Sequence, residues 1–299
     1  MNRHPRSEVP RLWAISDLHL GHRRNREALL ALPDHGPDWL IAAGDIGDTL
    51  ADLAFAWDVL CRRFTRVVWV PGNHELWCRE PIAAQARGEA RYAQLVALCR
   101  AYGVLTPEDA FPLFEGEGGR ARILPTFALY DYSFRPPEVG RHEVEDWAGE
   151  HGIRARDEDL LHFDPHPTRE DWCADRVRQS EARLAAAPRQ AGVARVLVNH
   201  WTLREDLVRI PKVPRYLPWC GTRLTQDWHT RFDLDVVITG HLHVRATDWR
   251  DGVRFEEVSL GYPRQWREEA PLQHYLRPVL RPEPAPPGGR GGPDWQRWR

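Results

Sequence analysis

The sequence predicts an α/β fold in which much of the sheet is parallel. Short apolar runs rich in β-branched and aromatic residues, bounded by polar turns, read as strands. Between several of them lie segments whose apolar residues recur at three and four, the spacing of one helix face. Strand–helix–strand alternation of this kind builds parallel sheets. Residues suited to binding ligands follow directly after several runs, at the carboxyl ends where such sheets gather ligands.

In chain order, strands are expected at 12–16, 39–43, 67–70, 122–126, 193–198, 235–239 and 253–259. Several are apolar throughout, as strands covered on both faces are. Helices are expected at 26–32, 52–64, 83–102 and 169–187; the last starts with a capping box, Thr168 as N-cap and Asp171 at N3. The stretch 130–166 is polar, weakly patterned and rich in Asp, Glu and His, so it predicts a solvated insertion over or beside the sheet. Its histidines (His142, His151, His162 and His166) raise a third metal site as an alternative. Residues 281–299 are dominated by Pro and Gly and predict a disordered tail, with Trp295 and Trp298 able to pin it. The organisation expected is one catalytic domain over 1–280 followed by that tail.

Composition narrows the function. A net charge of −2 does not describe a polycation, so no stable nucleic-acid complex is expected. No apolar run reaches the roughly 18 residues of a membrane span, and the first thirty residues lack a signal-peptide core. The five cysteines show no CxxC spacing and read as free thiols of a reducing compartment, so a cytoplasmic protein is expected. Of 41 basic residues only Lys212 is lysine, so arginine is the default cation and no single arginine is informative by itself.

Five short pieces carry the chemistry: Asp17-Leu18-His19, Gly44-Asp45-Ile46-Gly47-Asp48, Gly72-Asn73-His74-Glu75, Asn199-His200 and Gly240-His241-Leu242-His243. Each piece alone has a bland reading as a turn or a surface histidine. Together they place Asp17, Asp45, Asn73, His200 and His241 just after predicted strands, hence on one rim. His241 and His243, one residue apart, point the same way from an extended segment. Carboxylate oxygen with imidazole nitrogen suits Mn, Fe, Zn or Co, and a two-metal hydrolase needs a bridging anionic ligand.

In these blocks and in their order, which spans residues 17 to 243, the chain resembles the calcineurin-like metallophosphoesterases. The resemblance implies a four-layer αββα sandwich of two mixed β-sheets flanked by helices. It implies that Asp17, His19 and His243 bind a first metal, that Asp45 bridges, and that Asn73, His200 and His241 bind a second. It further implies that His74 stands beside the substrate as general acid or charge stabiliser, oriented by Asp48. Two ions, with Mn, Fe or Zn expected, lower the pKa of a bridging water and yield a hydroxide nucleophile that hydrolyses the ester.

The substrate is less sharply defined. The Arg-rich, proline-braced segment 202–223 follows His200, so Arg204 and Arg215 are candidate contacts to an anionic substrate, as are Arg23 and Arg24 behind the first block. Trp77 and Trp219 are candidates for an aromatic wall. Thr49 after Asp48 and Pro71 before Gly72 stand where the protein-phosphatase branch carries phosphate-clamping arginines. Those departures count against a phosphoprotein phosphatase, whereas Glu75 after His74 favours the phosphatase side. The expectation is therefore a phosphoesterase for a small phosphorylated substrate, with a monoester placed ahead of a nucleotide-type diester. A silent binding scaffold stands as a remote alternative, set back by the completeness of the ligand set.

Overall fold

The computed structural model describes residues 9–78, 86–267, 269–281 and 296–297. Its strands, in order, are β1 (Leu12–Ile15), β2 (Trp39–Ala42), β3 (Arg66–Trp69), β4 (Leu113–Gly116), β5 (Gly119–Pro125) and β6 (Val193–Val198). They continue as β7 (Val236–Thr239), β8 (Ala246–Arg250), β9 (Val253–Glu257), β10 (Arg277–Pro278) and β11 (Gln296–Arg297). Helices are α1 (Arg23–Leu30), α2 (Leu50–Arg63), α3 (Asn73–Leu76), α4 (Gly88–Ala101), α5 (Val144–Gly149), α6 (Asp157–Leu160), α7 (Arg169–Ala185) and α8 (Trp228–Arg231).

Two mixed sheets result. One runs β10-β1-β2-β3, with β1, β2 and β3 parallel and β10 antiparallel at its edge. The other runs β11-β8-β9-β7-β6-β5-β4, parallel from β5 through β6 and β7 to β9 and antiparallel outside that. Period-two alternation explains why the sheets stack. Ile41, Val68, Val196, Val198 and Ile238 join one buried cluster between the sheets, while Leu40, Ala42, Val67, Leu197 and Val237 face the other way into the cluster that includes the helices. Strands buried on both faces must read as continuous apolar runs, as these do.

Each expected strand forms, within a few residues of its expected bounds. The short edge strands β4, β10 and β11, and β8 next to an edge, carry no comparable apolar signal. Thr49 and Thr168 cap α2 and α7, their hydroxyls accepting from Asp52 N–H at 3.1 Å and Asp171 N–H at 3.0 Å. Helix α4 starts later than expected, and residues 79–85 lie outside the described ones. Most of the expected tail also lies outside them, although Gln296–Arg297 pairs antiparallel with β8.

The stretch 130–166 departs from a solvated insertion. Tyr130, Tyr132, Phe134, Val144, Ala148, Asp157 and Leu161 are buried, and Leu161 bridges to Trp77. Tyr130, Tyr132 and Phe134 alternate and Val144 and Ala148 lie four apart, but each run is short and the polar residues between them dilute the signal. His142 and His151 are exposed as expected, while His166 lies 3.2 Å from Glu89 and within metal-binding reach of Asp175.

Candidate metal centre

Five loops leave the carboxyl ends of β1, β2 and β3 in one sheet and β6 and β7 in the other. Main-chain bonds tie them together: Asp17 N–H to Gly44 O at 2.9 Å, His19 N–H to Asp45 O at 3.0 Å and Gly240 N–H to His200 O at 2.9 Å. Asp17, His19, Asp45, His241 and His243 all have positive φ, from 42° to 72°. Asp and His tolerate this left-handed region better than most residues, and such strain clusters at functional sites. A Cβ on Gly44 would meet His200 Nδ1 at 2.5 Å and Gly72 N at 2.8 Å, so glycine lets these loops converge.

The side chains then converge. Asp17 Oδ2 accepts from the Ser16 hydroxyl at 2.6 Å, the Ser259 hydroxyl at 2.7 Å and His241 N–H at 3.1 Å. Three donors on one oxygen direct the other, Oδ1, towards His243 Nε2 at 2.9 Å and His19 Nε2 at 3.8 Å. Asp45 divides its carboxylate similarly. Oδ1 accepts His74 N–H at 3.0 Å, and Oδ2 lies 3.5 Å from His200 Nε2 and 3.8 Å from His74 Nε2. His200 Nδ1 faces Ala43 O at 2.8 Å, which leaves its Nε2 turned to the Asp45 side. His74 Nδ1 lies 2.8 Å from Asp48 Oδ1, with the Trp77 ring against its face at 3.7 Å between centroids.

The donor set fits cations. Asp17, His19 and His243 form one group of potential ligand atoms lying within 4.8 Å of one another, and Asp45, His200 and His241 form a second. Among the described residues, Asn73 Oδ1, His200 Nε2 and His241 Nε2 are buried without a hydrogen-bond partner, although buried polar atoms are normally satisfied. The sites also call for positive charge. Burial pushes the Asp17 and Asp45 carboxyls up, but the neighbouring imidazoles outweigh it and hold both well below the ordinary carboxylate range. Burial pushes His200 down, but Asp45 reverses this and raises it to about 10; Asp17 likewise raises His243. Burial and the neighbouring His74 hold His19 well below its ordinary value, and burial with His200 brings His241 down to about 3, leaving both as neutral donors. Two anionic carboxylates, unpartnered donors and neutral imidazoles fit a pair of cations.

Around this centre stand Glu75, seen in the third block without a structural role, and residues that sequence reasoning missed. Glu75 is fully buried and braces two ligand loops, accepting Asp45 N–H at 3.0 Å, Ile46 N–H at 2.7 Å and Gly72 N–H at 2.9 Å. Tyr262 stacks on His19 at 4.4 Å, with its hydroxyl 3.5 Å from His74 Nε2. Gln265 Oε1 is 2.8 Å from His243 Nδ1, and Asp157 accepts from Asn73 Nδ2 at 2.9 Å. Gly261-Tyr262-Pro263 just past a strand could have marked Tyr262; Asp157 had no signal of its own.

The candidate substrate residues are placed differently. Trp77 and Trp219 are buried rather than lining an open wall, and Trp219 approaches His241 only through Tyr216, which stacks on it at 5.6 Å and lies 5.9 Å from His241. Arg204 bonds Asp206 at 2.8 Å, and Arg215 bonds Glu150 at 2.5 Å. Arg23 is exposed and paired with Glu27 at 2.8 Å, and Arg24 lies over the Trp266 ring at 4.0 Å. None of these four arginines has a contact with the histidine cluster among the described residues.

The two sheets and this rim define a metallophosphoesterase. The chain belongs to the calcineurin-like phosphoesterases, whose family model matches residues 10–245, and it is a phosphoric ester hydrolase. It is 46% identical over 277 residues to an [acyl-carrier-protein] phosphodiesterase, PptH, of Mycobacterium tuberculosis, covering 92% of this chain and 84% of that one. The crystal structure of phosphopantetheinyl hydrolase (PptH) from Mycobacterium tuberculosis superposes with a TM-score of 0.84 at 45% identity, covering 95% of this chain and 99% of that chain.

Proposed function

We propose that this chain is a phosphodiesterase that cleaves a phosphopantetheine arm from a carrier protein. The carrying observation is the 46% identity, over 92% of the chain, to an acyl-carrier-protein phosphodiesterase. This turns the reading from the small monoester that the sequence had placed first to a diester, and from the nucleotide-type diester it had placed second to a protein-borne one. Glu75, which had favoured the phosphatase side, braces the loops and is neutral between the two.

In this reading Asp17, His19 and His243 hold one ion, Asn73, His200 and His241 hold the other, and Asp45 reaches both. Mixed oxygen and nitrogen donors suit Mn, Fe or Zn. Bound ions supply an acidified water and the positive charge that offsets a phosphate in displacement. The chain's own residues do the rest. Burial pushes the His74 imidazole down, but Asp45 and Asp48 raise it above its ordinary value and so favour its acid form, and its Nε2 lies on the Asp45 side of the site. His74 there donates its proton to the departing seryl oxygen as the phosphorus–oxygen bond breaks. Water supplies the new oxygen on phosphorus, so the products are 4′-phosphopantetheine and an unmodified serine.

No described helix is long and apolar enough to cross a membrane, and all five cysteines are free, which supports a reducing compartment such as the cytoplasm. The test is a paired assay of manganese-reconstituted protein on a chromogenic phosphodiester and the matching monoester. The diester is expected to turn over faster; preference for the monoester would overturn the reading.

A further inference from the structure

Asp157 belongs to none of the five ligand blocks, yet one of its oxygens serves two side chains of the site. Oδ1 accepts the Asn73 amide N–H at 2.9 Å and the Trp77 indole N–H at 2.7 Å, and the residue is fully buried. An asparagine amide offers donors at one end and an acceptor at the other. Because Asp157 Oδ1 accepts, the Asn73 NH2 must face it, and Asn73 Oδ1 is left as the buried atom without a partner. The same contact fixes the indole of Trp77, whose ring lies against His74.

The main chain that carries this carboxylate is anchored. Arg169 Nη2 donates to Asp157 O at 3.0 Å and Leu161 O at 2.8 Å, clasping both ends of α6. The neighbouring Glu158 accepts from the Tyr132 hydroxyl at 2.7 Å, the Trp219 indole at 2.6 Å and Arg169 Nη1 at 2.9 Å. Helix α6 is thus pinned from the 130–166 stretch, from α7 and from the loop after β6. Groups that orient metal ligands from behind fix which atom faces the ion, and their loss commonly costs about 10–100-fold in metal affinity.

We propose that Asp157 is a positioning residue that sets the amide orientation of Asn73, and through it the affinity of the Asp45–Asn73–His200–His241 set for its cation. The inference rests on the two-ion reading above. It leaves the Asp17–His19–His243 set unaffected, because Asp157 has no contact with those side chains among the described residues. Trp77 is a second dependant of the same oxygen, but its ring packing does not require the indole bond.

The test is metal content per chain against graded free Mn2+, by elemental analysis of folded protein, for wild type, Asp157→Ala, Asp157→Asn and Trp77→Phe. Wild type is expected to fill two ions. Asp157→Ala is expected to keep the tighter ion and to need about 10–100-fold more Mn2+ for the other. Asp157→Asn, whose carbonyl can accept both N–H groups, is expected to restore the second ion, and Trp77→Phe to bind both as wild type does. Two ions in Asp157→Ala at the wild-type Mn2+ dependence would overturn the proposal. So would an Asp157→Asn variant as impaired as alanine. Asp157→Ser replaces alanine if that variant misfolds, and loss of the fold in both would make Asp157 a stability residue and overturn the proposal too. A wild-type chain that never fills two ions would instead bring down the two-ion reading itself.

Discussion

The histidine rim and the 130–166 stretch contribute to one site in opposite ways. On the rim, each candidate ligand follows a strand, so fold logic and residue type name it together. The 130–166 stretch supplies Asp157, whose place depends on α6 being clasped by Arg169 and on the buried Tyr132 and Trp219 around Glu158. Ligands are therefore local to strand ends, whereas Asp157, which aims one of them, arrives through tertiary contacts 80 or more residues apart in sequence, to Asn73 and Trp77.

Substitutions on the rim are expected to act most strongly. Asp45→Ala removes the carboxylate shared by both sets and is expected to lower kcat/KM at least about 10³-fold, with metal content falling in parallel. Retention of both ions would break the assignment of Asp45 as the bridge. His74→Ala is expected to keep both ions and to lose about 10²–10⁴-fold in rate; turnover at the wild-type rate would remove it as the acid.

Behind the rim, the expected effects shift from chemistry to stability and pH. Glu75→Ala leaves three buried N–H groups without their acceptor, each costing about 1–3 kcal/mol, so chemical denaturation of metal-free protein should show a markedly lower midpoint. Asp48→Asn tests the direction of the His74 shift. Burial pushes His74 down, but Asp45 and Asp48 raise it above its ordinary 6.5. The acid form is full below that pKa and lost as pH rises through it, so activity has an alkaline limb. Removing the Asp48 charge should move that limb to lower pH, and a pH profile unchanged by the substitution would contradict the pairing. The smallest effect belongs to the tail. Deleting residues 282–299 removes an edge pair of β8 that lies on neither rim nor brace, and kcat/KM should stay at the wild-type value.

The strands that carry the rim were legible because burial on both faces makes them apolar throughout, as in β2 and β7. Strands at or next to a sheet edge, such as β8 with Thr, Asp and Arg among its five residues, have no such constraint and left no pattern. Asp17, Asp45 and the paired histidines were legible because metal chemistry restricts residue type. Tyr262 and Asp157 could have been any aromatic or acid on the surface, and Glu75, though visible in its block, showed no bracing role, since their meaning lies in partners that only the fold supplies. The arginines carried no such restriction: in a chain with one lysine, Arg204 and Arg215 pair with Asp206 and Glu150.

The most direct test of the central claim compares two substrates in one reaction. Manganese-loaded protein is incubated with a phosphopantetheinylated carrier protein, and intact-mass spectrometry follows the carrier while released inorganic phosphate is measured. The account predicts loss of the arm from the carrier and accumulation of 4′-phosphopantetheine, a monoester, without further hydrolysis. An unchanged carrier mass, or phosphate released from the free arm as fast as the arm leaves the carrier, would contradict it.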